Sequence, residues 1–214
     1  MASRLLAPEA RVSGFTFDAH AHRYYLDGIE IPGVTCILKT VGLSPVYGNG
    51  FFNEATFRGT HVHECCELLD LPDGLDWPSV YPKYKGWVDG YVKFKQDTGA
   101  VPLEVERQLL HHAFRFAGTL DRRYRFPDGS TAQLDIKSGV ETEWHCWQTA
   151  GYYLLGLSTD PSWKADRRGC LYLKENGTYQ LVWHDDPGDL RIFSSALTIT
   201  HTRRRLDDDR DSDP

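Results

Sequence analysis

The stretch richest in chemistry runs from Gly118-Thr119-Leu120-Asp121 to Leu134-Asp135-Ile136-Lys137. Between them lies Arg125-Phe126-Pro127-Asp128-Gly129-Ser130. Pro-Asp-Gly suits a type I turn closed by a glycine in the left-handed region, the three-residue hairpin loop with a bulge. With that loop, Phe126 pairs with Ser130, and counting back sets Asp121 directly opposite Asp135. Strand side chains alternate with period two. Asp121, Asp135 and Lys137 are therefore predicted on one face, and Leu120, Leu134 and Ile136 on the other. Two carboxylates opposite each other repel and call for a cation. A hard divalent ion such as Mg²⁺ suits, because it takes oxygen ligands and keeps waters for chemistry. Lys137 beside it could orient or help deprotonate an attacking water. A solvent-facing Asp–Lys pair on an exposed strand is the plainer reading, and Asp-x-Lys alone does not separate the two.

Residues on either side add donors. Upstream, Arg58-Gly59-Thr60-His61-Val62-His63-Glu64 falls in a helical pattern. Imidazole ligates many metals, and the small Gly59 would let another backbone approach. Downstream, Trp144, Gln148 and Tyr152 recur at i, i+4 and i+8 on one helix face. There an amide and a phenol one turn apart can contact a phosphate or a base edge. A zinc hydrolase built on His61-x-His63 and His111-His112 is a rival, but no HExxH and no cysteine–histidine spacing supports it.

Four motifs stand in order: histidines after Gly59 (His61, His63), Gly118-Thr-Leu-Asp121, Asp135-Ile-Lys137 and Gln148-Thr-Ala-Gly-Tyr152. Together they resemble the RecB-like branch of the PD-(D/E)XK nuclease superfamily. The opening His22-Arg-Tyr24-Tyr-Leu-Asp-Gly28, followed by Val34-Thr-Cys-Ile-Leu38, resembles the start of its stand-alone phage-type exonucleases. The resemblance covers about residues 15–185. It implies that Asp121 and Asp135 bind metal, with the Ile136 carbonyl as a further ligand, and that Lys137 is the catalytic lysine. His63 would be the extra metal ligand, with His61 as the other candidate. An upstream acid would be Glu106, or else Glu104. Gln148 and Tyr152 would hold the substrate strand, and on strand parity Arg123 and Arg125 share the active face and could contact its backbone.

The implied activity is Mg²⁺- or Mn²⁺-dependent hydrolysis of DNA phosphodiester bonds with one or two ions. An exonuclease of recombination, repair or phage DNA processing is favoured over a structure-specific or sequence-specific endonuclease on the same fold. A DNA-binding module with a dead site is a further alternative, opposed by the complete Asp–Asp–Lys set. Implied partners are DNA and a recombination or single-strand annealing protein; a homo-oligomer is left open. The family's iron–sulfur members carry a cysteine cluster after the Gln-x-x-x-Tyr helix. Only Cys170 follows it here, so no such cluster is expected.

The elements that must position these residues read as follows. Residues 15–40 alternate around Asp27-Gly28, a hairpin signal, and 34–38 continues as a strand or the start of a helix. A Gly/Pro-rich link, 42–50, leads to a helix over 53–70 whose stripe is Ala55, Val62, Cys66 and Leu69. A second helix, 82–97, carries Trp87, Tyr91 and Phe94 as core aromatics. Strands are predicted over 101–137, a helix over 143–157, a hairpin around Asn176-Gly177 and a last helix over 189–202. The fold class is α/β, or mixed α+β, with helices flanking one central, mostly antiparallel or mixed sheet. The organisation is one domain over 1–205: an N-terminal β-hairpin (15–40), a helical part (51–98), a catalytic core (101–185) and a C-terminal helix (188–203). An acidic, disordered tail (206–214) would follow.

Composition agrees with a globular chain. The 214 residues are 41% hydrophobic and 25% charged, near the average for such domains. The formal charge of −6 argues against indiscriminate coating of nucleic acid, which needs a broad positive field. Much of that charge lies in the tail, where five aspartates face one arginine. Residues 107–125 instead hold five arginines against Asp121. Five cysteines without a CxxC suggest a reducing compartment. No apolar run is long enough to span a membrane, and the apolar start at 1–8 is too short for a secretory signal. The expected location is the cytoplasm, that of a phage-infected host included.

Overall fold

The computed structural model describes residues 14–45, 54–159 and 163–211. The apolar start at 1–8, Asn53, the last part of the Gly/Pro-rich link (46–50) and the tail's last residues (212–214) lie outside them. The described residues begin with a three-stranded antiparallel sheet, β1 (Phe15–Asp18), β2 (Arg23–Leu26) and β3 (Ile29–Ile31). Asp27 and Gly28 both have positive φ, 52° and 79°, the twist a two-residue hairpin turn needs. The predicted hairpin thus holds three strands, and 34–38 resolves as helix: α1 is Val34–Thr40.

The helical part follows as α2 (Glu54–Asp70), two short 3₁₀ turns and α3 (Lys85–Thr98). Gly99, at φ 62°, ends α3 in the left-handed conformation. The remaining elements are β4 (Val101–His111), β5 (Phe116–Arg125), β6 (Thr131–Lys137), α4 (Trp144–Thr159), β7 (Arg167–Leu173), β8 (Tyr179–Trp183) and α5 (Gly188–Asp211). Strands β4 to β8 form one mixed sheet in sequence order. Only β6 and β7 run parallel, and such a pair needs a crossover, which α4 supplies.

Two apolar layers hold this mixed α/β fold together. On one face of the large sheet, Val34, Ile37, Ala150, Leu155 and Phe193 pack from α1, α4 and α5 against Leu109, Phe116 and Leu120. On the other, Val62, Cys66, Trp87, Tyr91 and Phe94 of α2 and α3 meet Tyr124, Leu134, Ile136 and Leu171. Each fully buried large side chain contributes about 1.5–3 kcal/mol of transfer free energy. The aromatics of α3 are core, as expected, whereas Ala55 is exposed.

Two further expectations are corrected. The last helix does not stop near 202: it runs through the acidic residues to Asp211. Arginines and aspartates spaced three or four apart support a helix there, as in the Asp207–Arg210 pair at 3.7 Å. Leu120 does not share a face with Leu134 and Ile136; it packs under α4 while they pack under α2 and α3. The alternation of β5 changes phase next to Asp121. There the ladder with β4 passes from Val105–Arg122 to Arg107–Leu120, leaving Glu106 at φ 45°.

Among the described residues, no helix is long and apolar enough to cross a membrane.

Candidate metal centre

The β5–β6 hairpin closes as its loop requires: Phe126 N–H donates to the Ser130 carbonyl at 2.9 Å, and Gly129 has φ 85°. The ladder then runs from Arg125–Thr131 to Arg122–Leu134, which brings Asp121 level with Asp135. At that rung the backbone pairing gives way to a side chain. Asp121 Oδ2 accepts the Ile136 N–H at 2.8 Å. A buried carboxylate is thereby fixed across the mouth of the hairpin.

Two other elements converge on it. From α2, His63 Nε2 donates to the Ile136 carbonyl at 2.8 Å. A carbonyl only accepts, so Nδ1 of the neutral ring carries the lone pair. That atom lies 3.6 Å from Asp121 Oδ2. From β4, the irregular rung aims Glu106 at the same point. Ligand atoms of His63, Glu106 and Asp121 all lie within 4.8 Å of one another, so these three side chains could hold a metal ion. The cluster opens to solvent through a cavity of about 380 Å³ lined by Gly59, Thr60, His63, Glu64, Glu67 and Glu106.

The electrostatics of the cluster favour added positive charge. Burial, and then the negative Asp121 beside it, push the Glu106 carboxyl up to about 8. Arg122, which donates to Glu106 Oε1 at 2.9 Å, only partly opposes this. A buried pair of carboxylates with an imidazole nitrogen facing it is a donor set that a divalent metal fits.

Asp135 and Lys137 form the adjoining pair. Their side chains are ion-paired on the α4 side of β6. Burial, with a smaller contribution from Asp121, raises the Asp135 carboxyl, and Lys137 pulls it back. Burial works against the Lys137 ammonium, but Asp135, Cys170 and Asp121 outweigh it and raise its pKa. Lys137 Nζ also donates to Gln148 Oε1 at 2.9 Å and lies 5.7 Å from the Trp144 ring centre. Gln148 Nε2 donates in turn to Thr35 Oγ1 at 3.3 Å and to the Tyr152 hydroxyl at 3.4 Å. Gly118 makes room for that tyrosine: a Cβ there would sit 2.8 Å from Tyr152 Cε1.

The expected site residues therefore divide. His63, Glu106 and Asp121 meet in one cluster. Asp135, Lys137, Gln148 and Tyr152 form a chain of contacts next to it. The Ile136 carbonyl, expected as a ligand, holds the His63 ring instead. His61 is turned away, its Nε2 accepting the Tyr81 N–H at 3.0 Å. Glu104 lies elsewhere on β4, paired with Arg123 at 2.9 Å and accepting the Trp163 indole N–H at 3.0 Å. Arg123 is thus tied to Glu104, and Arg125 stands exposed at the far end of the hairpin. Gly59 is not at a tight approach, since a Cβ there would lie 3.9 Å from Ser138 Oγ, an ordinary contact.

Sequence reasoning missed the support behind the cluster. Arg122 is fully buried and joins Glu106 to Asp70, whose Oδ2 accepts from Arg122 Nε at 2.8 Å. Asp70 also pairs with Lys95 at 2.6 Å and accepts from the Tyr91 hydroxyl. Its only signal in the sequence is an acid at the end of a helix, 52 residues from its partner.

No family model and no curated protein matches the chain. Among solved structures it is similar to SSO0001, known from a crystal structure, at 14% identity and a TM-score of 0.32 over 78% of this chain and 84% of that one.

Proposed function

We propose that the chain is a metal-dependent deoxyribonuclease that hydrolyses phosphodiester bonds, with exonuclease action favoured over endonuclease action. The observation that carries this reading is the meeting of His63, Glu106 and Asp121 within 4.8 Å, next to the Asp135–Lys137 pair. One imidazole and two carboxylates suit Mg²⁺ or Mn²⁺. The order of motifs, which resembles the RecB-like PD-(D/E)XK branch, adds the reaction class.

A divalent ion held by these three residues would supply Lewis-acid polarisation of a phosphate oxygen and of an attacking water. The chain's own residues do the rest. Lys137, kept charged by Asp135, directs its ammonium to the phosphate and the water and stabilises charge that builds on the oxygens. Gln148 fixes the ammonium from one side. Tyr152, braced by Gln148 and admitted by Gly118, borders the cavity through which a substrate strand would pass. His63 and Asp121 are both held by the Ile136 peptide, which fixes two of the three donors relative to each other.

The test is a cleavage assay on linear and circular DNA, single- and double-stranded, with Mg²⁺, Mn²⁺, Zn²⁺ or EDTA. Degradation of linear DNA with Mg²⁺ or Mn²⁺ and none in EDTA is expected. Cutting of circles would move the reading to an endonuclease. Binding without cutting would leave a DNA-binding module, and full activity in chelator would remove the metal from the reading.

A further inference from the structure

Two buried polar side chains stand beside Lys137 without a part in the proposed reaction. Tyr172 is fully buried and His145 is 6% exposed. Strand β7 runs parallel to β6, and Tyr172 takes the rung of Lys137. Side chains alternate along a strand. Leu171 and Leu173 pack under α2 and α3, so Tyr172 points to the α4 side, as Lys137 does. His145 lies in the first turn of α4, three residues before Gln148. Its Nδ1 and the Tyr172 hydroxyl share a hydrogen bond at 2.7 Å.

This bond ties β7 to the start of α4, and the start of α4 is what holds the lysine. Gln148 Oε1 accepts from Lys137 Nζ at 2.9 Å, and the Trp144 ring centre lies 5.7 Å from that nitrogen. The Trp144 and His145 rings meet edge to face with centres 4.4 Å apart. Residues three apart on a helix are neighbours on one face, so what fixes His145 also fixes the turn that carries Gln148. Burial first, and then the Lys137 ammonium, push the His145 imidazole down to about 4. The ring is therefore neutral at ordinary pH and adds no positive charge beside the lysine. A buried hydroxyl and imidazole cost desolvation that two apolar side chains would not, and their shared bond offsets it. What the polar pair supplies beyond packing is direction, since a hydrogen bond fixes both length and angle.

We infer that Tyr172 and His145 are positioning residues that set the Lys137 ammonium through the first turn of α4. The inference rests on the proposed hydrolysis, in which Lys137 acts on the phosphate and the water. Neither Tyr172 nor His145 acts on the reacting atoms itself. Without their bond, the turn that carries Trp144 and Gln148 loses its tie to the strand beside Lys137, and the ammonium is held less closely in place. The metal donors His63, Glu106 and Asp121 come from α2, β4 and β5, so the loss falls on the chemical step and not on metal affinity.

Cleavage kinetics on linear DNA with Mg²⁺ test it. Tyr172→Phe keeps the ring and its packing, so the fold survives, which circular dichroism melts check. It should lower kcat about tenfold to hundredfold and leave KM and the Mg²⁺ concentration for half-maximal activity within about twofold. In a Lys137→Ala background the same substitution should cost less than about twofold, because a group that acts only through the lysine has nothing left to place. His145→Leu should match Tyr172→Phe. His145→Asn, whose amide can bond the hydroxyl from the Nδ1 position, should recover most of the rate. A Tyr172→Phe chain with unchanged kcat, an equal loss with and without Lys137, or a His145→Asn chain no better than His145→Leu would each overturn the inference and leave the hydrolysis standing. A parent chain that cleaves no DNA would remove both.

Discussion

Two groups of buried charge lie side by side on β5, and they are balanced differently. Around Asp70, one carboxylate has two cations, Arg122 and Lys95, and a tyrosine hydroxyl. Around Glu106 and Asp121, two carboxylates lie beside the guanidinium of Arg122, whose side-chain ion pair goes to Glu106. The first group is balanced in charge within the fold. The second gains from a proton or a cation, since burial first, and then the neighbouring Asp121, push the Glu106 carboxyl up to about 8. Burial alone does not mark a functional residue; burial without matching charge does.

The sharpest way to break the comparison is to neutralise one carboxylate of the second group. Asp121→Asn should reduce cleavage by about three orders of magnitude or more, because a ligand charge is lost where charge develops in the transition state. Added Mg²⁺ should raise the melting temperature of the parent chain by mass action and that of Asp121→Asn much less. Lys137→Ala should differ in kind, with cleavage reduced about 10²- to 10⁴-fold and the Mg²⁺-dependent rise kept. Thermal melts run beside cleavage assays check both variants. An Asp121→Asn protein that still cuts, or a Lys137→Ala protein that no longer responds to Mg²⁺, would show that these roles are assigned wrongly.

The balanced group should respond in stability. Arg122→Met leaves Asp70 buried beside a single lysine and strips Glu106 of its partner. Removing one member of a buried pair costs about 3–5 kcal/mol, so urea unfolding should show a loss of that size. Addition of Mg²⁺ should recover part of it, through Glu106. A loss below about 1 kcal/mol, the range of exposed ion pairs, would mean that the network contributes no more than a surface salt bridge.

Much of this arrangement was legible in the sequence, and the parts that were not have physical causes. Pro127-Asp128-Gly129 fixes the loop, the loop fixes the register, and the register brings Asp121 level with Asp135. Local rules suffice there because the partners lie within one hairpin. The choice of His63 over His61 was not legible, since it depends on which face of α2 meets the sheet, and several faces of that helix are polar. Leu120 was placed on the wrong side because alternation assumes an unbroken pleat. The positive φ of Glu106, a conformation uncommon for any residue but glycine, leaves no mark in composition. The Arg122–Asp70 pair was invisible for another reason: contacts between a helix end and a strand far along the chain have no periodicity. The helix through Asp211 was missed because a run of aspartates resembles a solvated tail unless the arginines three and four residues away are counted with it.

A smaller effect separates the groups by pH. In chelator, Glu106 releases its proton near pH 8 in the folded chain, against an ordinary 4.5. Between those values the folded state holds a proton that the unfolded state has lost. Stability should therefore fall as pH rises from about 4.5 through 8, by roughly 2–3 kcal/mol once solvent screening at this partly exposed residue is allowed for. Glu106→Gln should flatten that slope. Saturating Mg²⁺ should also remove it, because bound metal favours the ionised carboxyl. Urea unfolding at pH 5 and at pH 8.5, with EDTA or with Mg²⁺, measures all of this. An equal slope in Glu106→Gln would assign the titration to another group.

The smallest expected effect lies in the balanced group and tests whether it is purely structural. The Tyr91 hydroxyl is buried between Asp70 and the Tyr124 hydroxyl. Tyr91→Phe removes that hydroxyl and leaves the ring in the α2–α3 core. Asp70 keeps Arg122 and Lys95, so its charge stays matched, and the loss should be that of the two hydrogen bonds of the Tyr91 hydroxyl, with the buried Tyr124 hydroxyl deprived of this partner, about 1–3 kcal/mol. Glu106 lies on the far side of Arg122, whose guanidinium remains held by Asp70 and by the Asp121 carbonyl at 2.6 Å. The cleavage rate and the Mg²⁺ concentration needed for half-maximal activity should then stay within about twofold of the parent, since no transition-state contact is lost. A Tyr91→Phe chain that folds but needs tenfold more Mg²⁺ would show that the two groups act as one unit, with Asp70 and Tyr91 setting the position of Glu106 through Arg122. The boundary drawn between a balanced group and one that gains from a cation would then have to be given up.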